Sequence, residues 1–154
     1  MRLEHTFTVL ADPDRTYAFL LDVERVATCI PGMSSVEQQA PDRFGGVLKV
    51  KVGPIGVTYG GTATLTSTDP DARRATMTAE GTEGLGAGRV KAAAVMLVIP
   101  EAGGSRVTIT TDVEIAGRLA QFGRGIIDGV GKRIVAQMAD CIRQHVEQGG
   151  PGDA

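Results

Sequence analysis

The 154-residue chain has no tryptophan, four phenylalanines, two tyrosines, two cysteines and two histidines. Recognition of single-stranded nucleic acid by base stacking needs exposed aromatics in a basic groove. So few rings on a chain of net charge -2 exclude it. A core must instead be assembled from Ala, Val, Ile, Leu and Met. Long apolar runs are missing too. The longest, residues 92–99, is far short of the roughly 18–20 residues a bilayer-spanning helix needs. The N-terminus shows no apolar stretch of the signal-peptide kind.

Chemistry-bearing groups are equally sparse. Cys29 and Cys141 stand far apart, with no second ligand pair near either. They are expected to be two half-buried thiols in a reducing cytosol, not zinc ligands or a disulfide framework. His5 and His145 read as isolated histidines, so no metal site is assigned. Ser34, Ser35, Ser67 and Ser105 occupy no nucleophile-elbow pattern. With no base placed beside a nucleophile, no catalytic residue is assigned and the chain is read as a non-enzyme.

Glycine is what the chain has in excess: 21 residues, roughly twice the usual share of about 7%. The length suits one domain, residues 1–148, with 149–154 as a Gly/Pro-rich tail. Residues 3–10 alternate as a strand. Asp12-Pro13-Asp14 then starts a helix with Tyr17, Leu20 and Leu21 on its apolar face. Asp22 caps a second short helix carrying Val23, Val26 and Ile30, which Pro31-Gly32 ends. From there the period changes to two, with strands expected at 34–39, 43–52, 57–67, 74–81, 87–100 and 106–115. After Gly117 one helix is expected to run to about residue 148. Its stretch from 117 to 144 carries five basic residues against two acidic ones, which reads as a solvated flank or an anionic-membrane preference. The order gives an α+β domain of the helix-grip kind, a curved seven-stranded antiparallel sheet around a long C-terminal helix.

Alternation assigns each strand an inner and an outer face. The outer one is rich in threonine, and Arg89 and Lys91 are expected to pair there with Asp112 and Glu114. The inner one is small where a filled core wants Leu or Phe: Gly61 and Ala63, Ala75 and Ala79, Ala92 and Ala94. One unfilled truncation of this kind costs roughly 2–5 kcal/mol, so either a close-packed helix or a ligand must fill the space. The ligand reading takes Tyr59, Gly61, Ala63, Met77 and Ala79 with Ala92, Ala94 and Met96 as the sheet side. Phe122, Ile126 and Val130 form the helix side, where Gly123, Gly125, Gly129 and Gly131 thin the helix beside the loop Gly81-Thr82-Glu83-Gly84-Leu85-Gly86. Tyr59 is the one polar handle, able to orient a carbonyl.

Three stretches then resemble a known family. They are Cys29-Ile30-Pro31-Gly32, Lys49-Val50-Lys51-Val52-Gly53-Pro54-Ile55 with Tyr59-Gly60-Gly61, and Gly117-Arg118-Leu119-Ala120-Gln121-Phe122-Gly123 with Ile127-Asp128-Gly129. Over about residues 3–147 the chain is similar to the CoxG family, named for the G-subunit of carbon monoxide dehydrogenase, within the polyketide cyclase/START-like (SRPBCC) superfamily. Met33 departs from the family's usual cysteine, so no thiol role passes to it. Some relatives continue into a C-terminal extension that supplies membrane contact; the sequence at 149–154 is a Gly/Pro-rich stub, read either as the start of such an extension or as the mark of a protein that meets membranes differently. The resemblance implies a helix-grip fold with an apolar cavity, no catalytic machinery and association with a molybdenum hydroxylase of the carbon monoxide dehydrogenase type. The combined expectation is a cytoplasmic protein, peripheral on the inner face of the plasma membrane. It would bind a lipophile such as the respiratory quinone menaquinone non-covalently and recruit that enzyme. The alternatives are a ligand-free structural adaptor or assembly factor and, more remotely, a cyclase-like enzyme.

Overall fold

The computed structural model describes residues 1–84, 86 and 88–147. The elements are β1 (Arg2–Val9), α1 (Pro13–Leu21), α2 (Val23–Ala27), β2 (Met33–Ala40), β3 (Arg43–Val52), β4 (Ile55–Asp69), β5 (Arg74–Glu83), β6 (Arg89–Glu101), β7 (Gly104–Ala116) and α3 (Arg124–Val146). All seven strands form one antiparallel sheet in the order β1-β7-β6-β5-β4-β3-β2. Strands β2 through β7 are neighbours in sequence order, and β1 closes the far side on β7. This is the expected α+β architecture. The tail at 149–154, Leu85 and Ala87 lie outside the described residues.

The local signals act where they stand. Asp12 accepts a hydrogen bond from the Arg15 backbone N–H at 3.2 Å, and Pro13 opens α1. Asp22 ends α1 and caps α2 through the Arg25 N–H at 3.4 Å. On β1 the alternation buries Leu3, His5, Phe7 and Val9. Gly61 lies so close to β5 that a Cβ would stand 1.9 Å from the Glu80 carbonyl oxygen. Only glycine allows the two strands to approach this tightly.

Three expectations are corrected. The helix after Gly117 is not continuous. A 3-10 turn occupies Arg118–Gln121, Phe122 is extended, and α3 begins at Arg124 without a side-chain cap. The cause is local: Gly117 takes a φ of +101°, and a Cβ on it would meet Gly88 Cα at 2.6 Å. Leu119 is buried with Val52, Val57 and Tyr59, which holds the 3-10 turn flat against that end of the sheet.

The second correction concerns the outer face. Asp112 is paired with Arg2 at 3.1 Å, and Lys91 with Glu80 at 3.6 Å. Arg2 and Asp112 are direct partners across β1 and β7, whereas Arg89 faces Ala116 and Thr82, which offer it no carboxylate. The third is covalent. Cys29 and Cys141 are joined as a disulfide across a Cα separation of 5.4 Å. A reading by sequence spacing treats the two sulfurs as strangers; the packing of the end of α2 against α3 makes them neighbours.

α3 is fastened mainly to β1. Arg124 and Arg143 donate to the Arg2 and Thr8 carbonyls at 2.8 and 2.9 Å, and Arg133 donates to the Lys51 carbonyl at 3.1 Å. Three of the basic residues read as a solvated flank are thus spent on backbone oxygens. His5 Nε2, buried beneath the helix, is 3.2 Å from Asp128, whose other oxygen meets Lys132 at 3.3 Å. Gly131 leaves the space the imidazole occupies, since a Cβ there would stand 2.9 Å from His5 Cε1.

These contacts set the response to substitution. Gly61→Ala forces backbone against backbone and should destabilise by several kcal/mol, of the order reached when a close approach is blocked. Gly129→Ala, on a helix face with nothing within 4 Å, should stabilise by roughly 0.5–1 kcal/mol. Urea unfolding of both variants tests the contrast, and equal effects would contradict it. Asp128 supplies a pH dependence. Burial pushes its carboxyl up, but the Lys132 hydrogen bond and charge, aided by His5, outweigh this and hold it below the ordinary range. A carboxyl held low stabilises the fold above its unfolded pKa and loses that contribution as pH falls through the folded value. Asp128→Asn should therefore melt below wild type at pH 7, with the gap closing as pH drops below about 4. Melting curves at pH 7, 5 and 3 measure it.

Candidate ligand-binding site

The buried residues fall into two clusters. One gathers Phe7, Val9, Val98, Val107, Ile142 and neighbours beneath α1 and the second half of α3. The other joins Val52, Val57, Tyr59 and Leu119 at the opposite end of the sheet. Between them the inner face carries residues too short to close the gap. A cavity of about 420 Å³ remains there, and its wall is almost wholly apolar. That volume lies within the range of small-molecule sites, roughly 300–1,000 Å³.

The floor is the sheet. Ala63, Ala75, Ala79, Ala92 and Ala94 border the space together with Gly61 and Gly81. Ala63 faces Ala79 across β4 and β5, and Ala79 faces Ala92 across β5 and β6, so the smallest side chains stand in one row across three strands. The roof comes from α1 and α2 through Leu20, Leu21, Val23 and Val26, and from Ile30 in the turn that follows α2. Met33, Met77, Met96 and Met138 complete the wall, four of the five methionines in the chain. Unbranched thioethers fill irregular space without imposing one shape. Thr62, Thr76 and Glu80 also border the cavity. Their side chains alternate to the outer face, where Thr76 bonds to Thr66 and Ser67 and Glu80 pairs with Lys91.

Tyr59 stands at one end, buried in the second cluster and bordering the cavity. It faces Glu83 across β4 and β5. Glu83 is paired with Arg118, which also donates to the Gly56 carbonyl at 3.3 Å. Burial raises the Tyr59 pKa, the Glu83 carboxylate raises it further, and Arg118 draws it partly back. Each of the two raising influences favours the protonated phenol, the hydrogen-bond-donating form, in a residue that borders an apolar space.

Of the site residues expected from sequence, Tyr59, Gly61, Ala63, Met77, Ala79, Ala92, Ala94 and Met96 border this cavity. Phe122, Ile126 and Val130 do not. Phe122 and Val130 pack against the second cluster, and Ile126 is half exposed. The break before α3 and its attachment to β1 carry these three away, and Met138 is the α3 residue that reaches the space. Gly123, Gly125 and Gly129 have nothing within 4 Å and thin no wall. Of the residues flanking the loop after β5, Gly88 meets Gly117 and Glu83 pairs with Arg118 of the 3-10 turn.

The wall that sequence reasoning misses is α2. Its apolar residues Val23 and Val26, with Ile30 just beyond its end, are visible as a face without a destination, and the methionines are a second signal of the same kind. Among the described residues, one group of three side chains has metal-ligand chemistry: Cys29, Cys141 and His145, with ligand atoms within 4.8 Å of one another. The four-residue spacing of Cys141 and His145 on a helix is the signal for that pair.

Solved structures share the fold. A conserved protein from Geobacillus kaustophilus superposes with a TM-score of 0.85 at 19% identity, covering 96% of each chain. The Zhui aromatase/cyclase of a Streptomyces species gives 0.67 at 18%, covering 96% of this chain and 94% of its own. A START superfamily protein from Mycobacterium smegmatis gives 0.64 at 12%, covering 96% and 97%. At such identities the likeness establishes the helix-grip fold of START/SRPBCC-type proteins and nothing finer. No curated protein matches the chain in sequence. The sequence profile of the carbon monoxide dehydrogenase G-subunit (CoxG) matches residues 6–147. With the strand order, the long final helix and that match in agreement, the chain belongs to the CoxG family.

Proposed function

We propose that this protein is a non-catalytic carrier of a lipophilic molecule, a respiratory quinone of the menaquinone type being the candidate, that serves a carbon monoxide dehydrogenase-type molybdenum hydroxylase. The family and the fold support a ligand-binding role related to that enzyme. One observation carries the finer reading: the row of alanines and glycine between two packed clusters leaves an apolar cavity with a neutral phenol at one end. A quinone presents the matching pattern, a carbonyl-bearing ring on a hydrocarbon tail. Tyr59 would donate to a carbonyl, and the methionine-lined wall would take the start of the tail. Glu83 is engaged by Arg118 and does not border the cavity, and Glu80, which does, is turned to the outer face and paired with Lys91, so no acid–base pair faces the space among the described residues.

No helix among the described residues is long and apolar enough to cross a membrane. In this reading the protein meets the bilayer peripherally, draws the quinone from it and brings the enzyme to that surface. A ligand-free adaptor would bind the same enzyme with the cavity collapsed.

Organic extraction of the purified protein followed by mass spectrometry, and uptake of menaquinone from liposomes, test the carrier directly. A bound lipophile or saturable uptake is expected, and neither appearing would sink the reading. Ala94→Leu should fill the space and abolish uptake while changing stability by less than about 1.5 kcal/mol, because it grows into a void; a collapsed core would be overpacked at a cost of about 1–3 kcal/mol. Tyr59→Phe removes one hydrogen bond and should weaken retention about tenfold, with melting temperature nearly unchanged. Equal retention by this variant would remove Tyr59 from the site.

A further inference from the structure

Cys29, Cys141 and His145 meet where the end of α2 packs on the last turns of α3, outside the cavity wall. Cys29 is 5% exposed, and Cys141 and His145 are half-buried. Cys141 and His145 are four residues apart on α3, so one helical turn points both to the same side. The Phe19 ring stacks on the imidazole, with centroids 5.2 Å apart and planes 26° apart, which restricts its rotation. The imidazole so held lies beside both sulfurs. Two sulfurs and one ring nitrogen, all within 4.8 Å, make a donor set suited to a zinc-class cation.

We propose that Cys29, Cys141 and His145 form a redox-dependent metal site, closed as the disulfide and able, once reduced, to hold one zinc-class divalent cation with a fourth position open to water. A small-molecule or protein dithiol supplies two electrons and two protons, leaves as its own disulfide, and converts the Sγ–Sγ bond into two thiols. Binding of the cation then displaces the two thiol protons to solvent, leaving two thiolates and one neutral imidazole as ligands. At zinc–sulfur bonds of about 2.3 Å, tetrahedral geometry sets the sulfurs about 3.8 Å apart. The 5.4 Å Cα separation accommodates that spread by rotation about the Cα–Cβ bonds. Each state ties α2 to α3, the first by a covalent bond and the second through the metal. The site stands independently of the carrier reading and of any bound lipophile.

The test uses the full chain, reduced with a phosphine, stripped with a chelator, freed of both and titrated anaerobically with Co²⁺. One cobalt per chain is expected, with thiolate-to-cobalt charge-transfer absorption in the near ultraviolet, and one equivalent of Zn²⁺ should displace it. The oxidised protein should give no such band. His145→Gln, with its fold checked by circular dichroism, should bind cobalt roughly tenfold or more weakly, and Cys141→Ser should lose the two-thiolate spectrum. Absence of the band in reduced wild type, or undiminished affinity in His145→Gln, would leave a plain disulfide and overturn the proposal. So would reduced protein that unfolds and is not restored by cobalt.

Discussion

Ala63, Ala79 and Ala92 stand side by side on three neighbouring strands, and Ala94 follows two residues along β6. None of their side chains extends far from the sheet. The helices cannot sink to meet them, because α3 is held out over β1 by arginine contacts to the Arg2 and Thr8 carbonyls and α1 rests on the cluster around Val98 and Val107. Short side chains below and a fixed roof above leave a volume the chain does not fill. The two-part core, the exposure of Ile126 and the role of α2 as a wall all depend on that mismatch of reach. A void of this size is costly in a folded protein, and its persistence needs a rigid frame on every side.

That frame is polar where it is fastened and apolar where it is empty. Buried His5 and the Asp128–Lys132 pair hold α3 to the sheet, and Arg124 and Arg143 act at its margin, where the Arg2 and Thr8 carbonyl oxygens of β1 would otherwise be bare. Edge strands with open hydrogen-bonding groups invite pairing with other chains, and side chains that cap those groups close that edge while positioning the helix. Tyr59 is a polar residue of the inner face that borders the cavity, and its neighbours Glu83 and Arg118 neutralise each other beside it. The charge distribution therefore follows a mechanical logic first.

The parts of the structure legible in the sequence were those fixed within a few residues. β3 spans residues 43–52 as alternation indicated, and Asp12, Pro13 and Asp22 act as the caps they resemble. The sheet half of the site was legible for the same reason, since period two alone decides that Ala63, Ala79, Ala92 and Ala94 share a face. The helix half was not. Phe122, Ile126 and Val130 keep a helical spacing with the residues after them, but spacing does not reveal that Gly117 and Gly88 pack backbone to backbone and interrupt the segment. The Cys29–Cys141 bond was hidden likewise, because it depends on how two distant helices lean together. Periodicity tells which side of an element is apolar and is silent on what that side will touch.

Four methionines on the cavity wall bear on discrimination. An unbranched side chain with three rotatable bonds yields to the shape presented to it, so such a lining measures the length or branching of an occupant poorly. In the proposed carrier, recognition would then concentrate at the rigid end, where Tyr59 is anchored in the Val52–Val57–Leu119 cluster. Occupants that share a head would be treated alike however their tails differ. The same thioethers are open to oxidation, and each sulfoxide formed would turn a compliant wall into a polar one, so this softness also makes the wall chemically vulnerable.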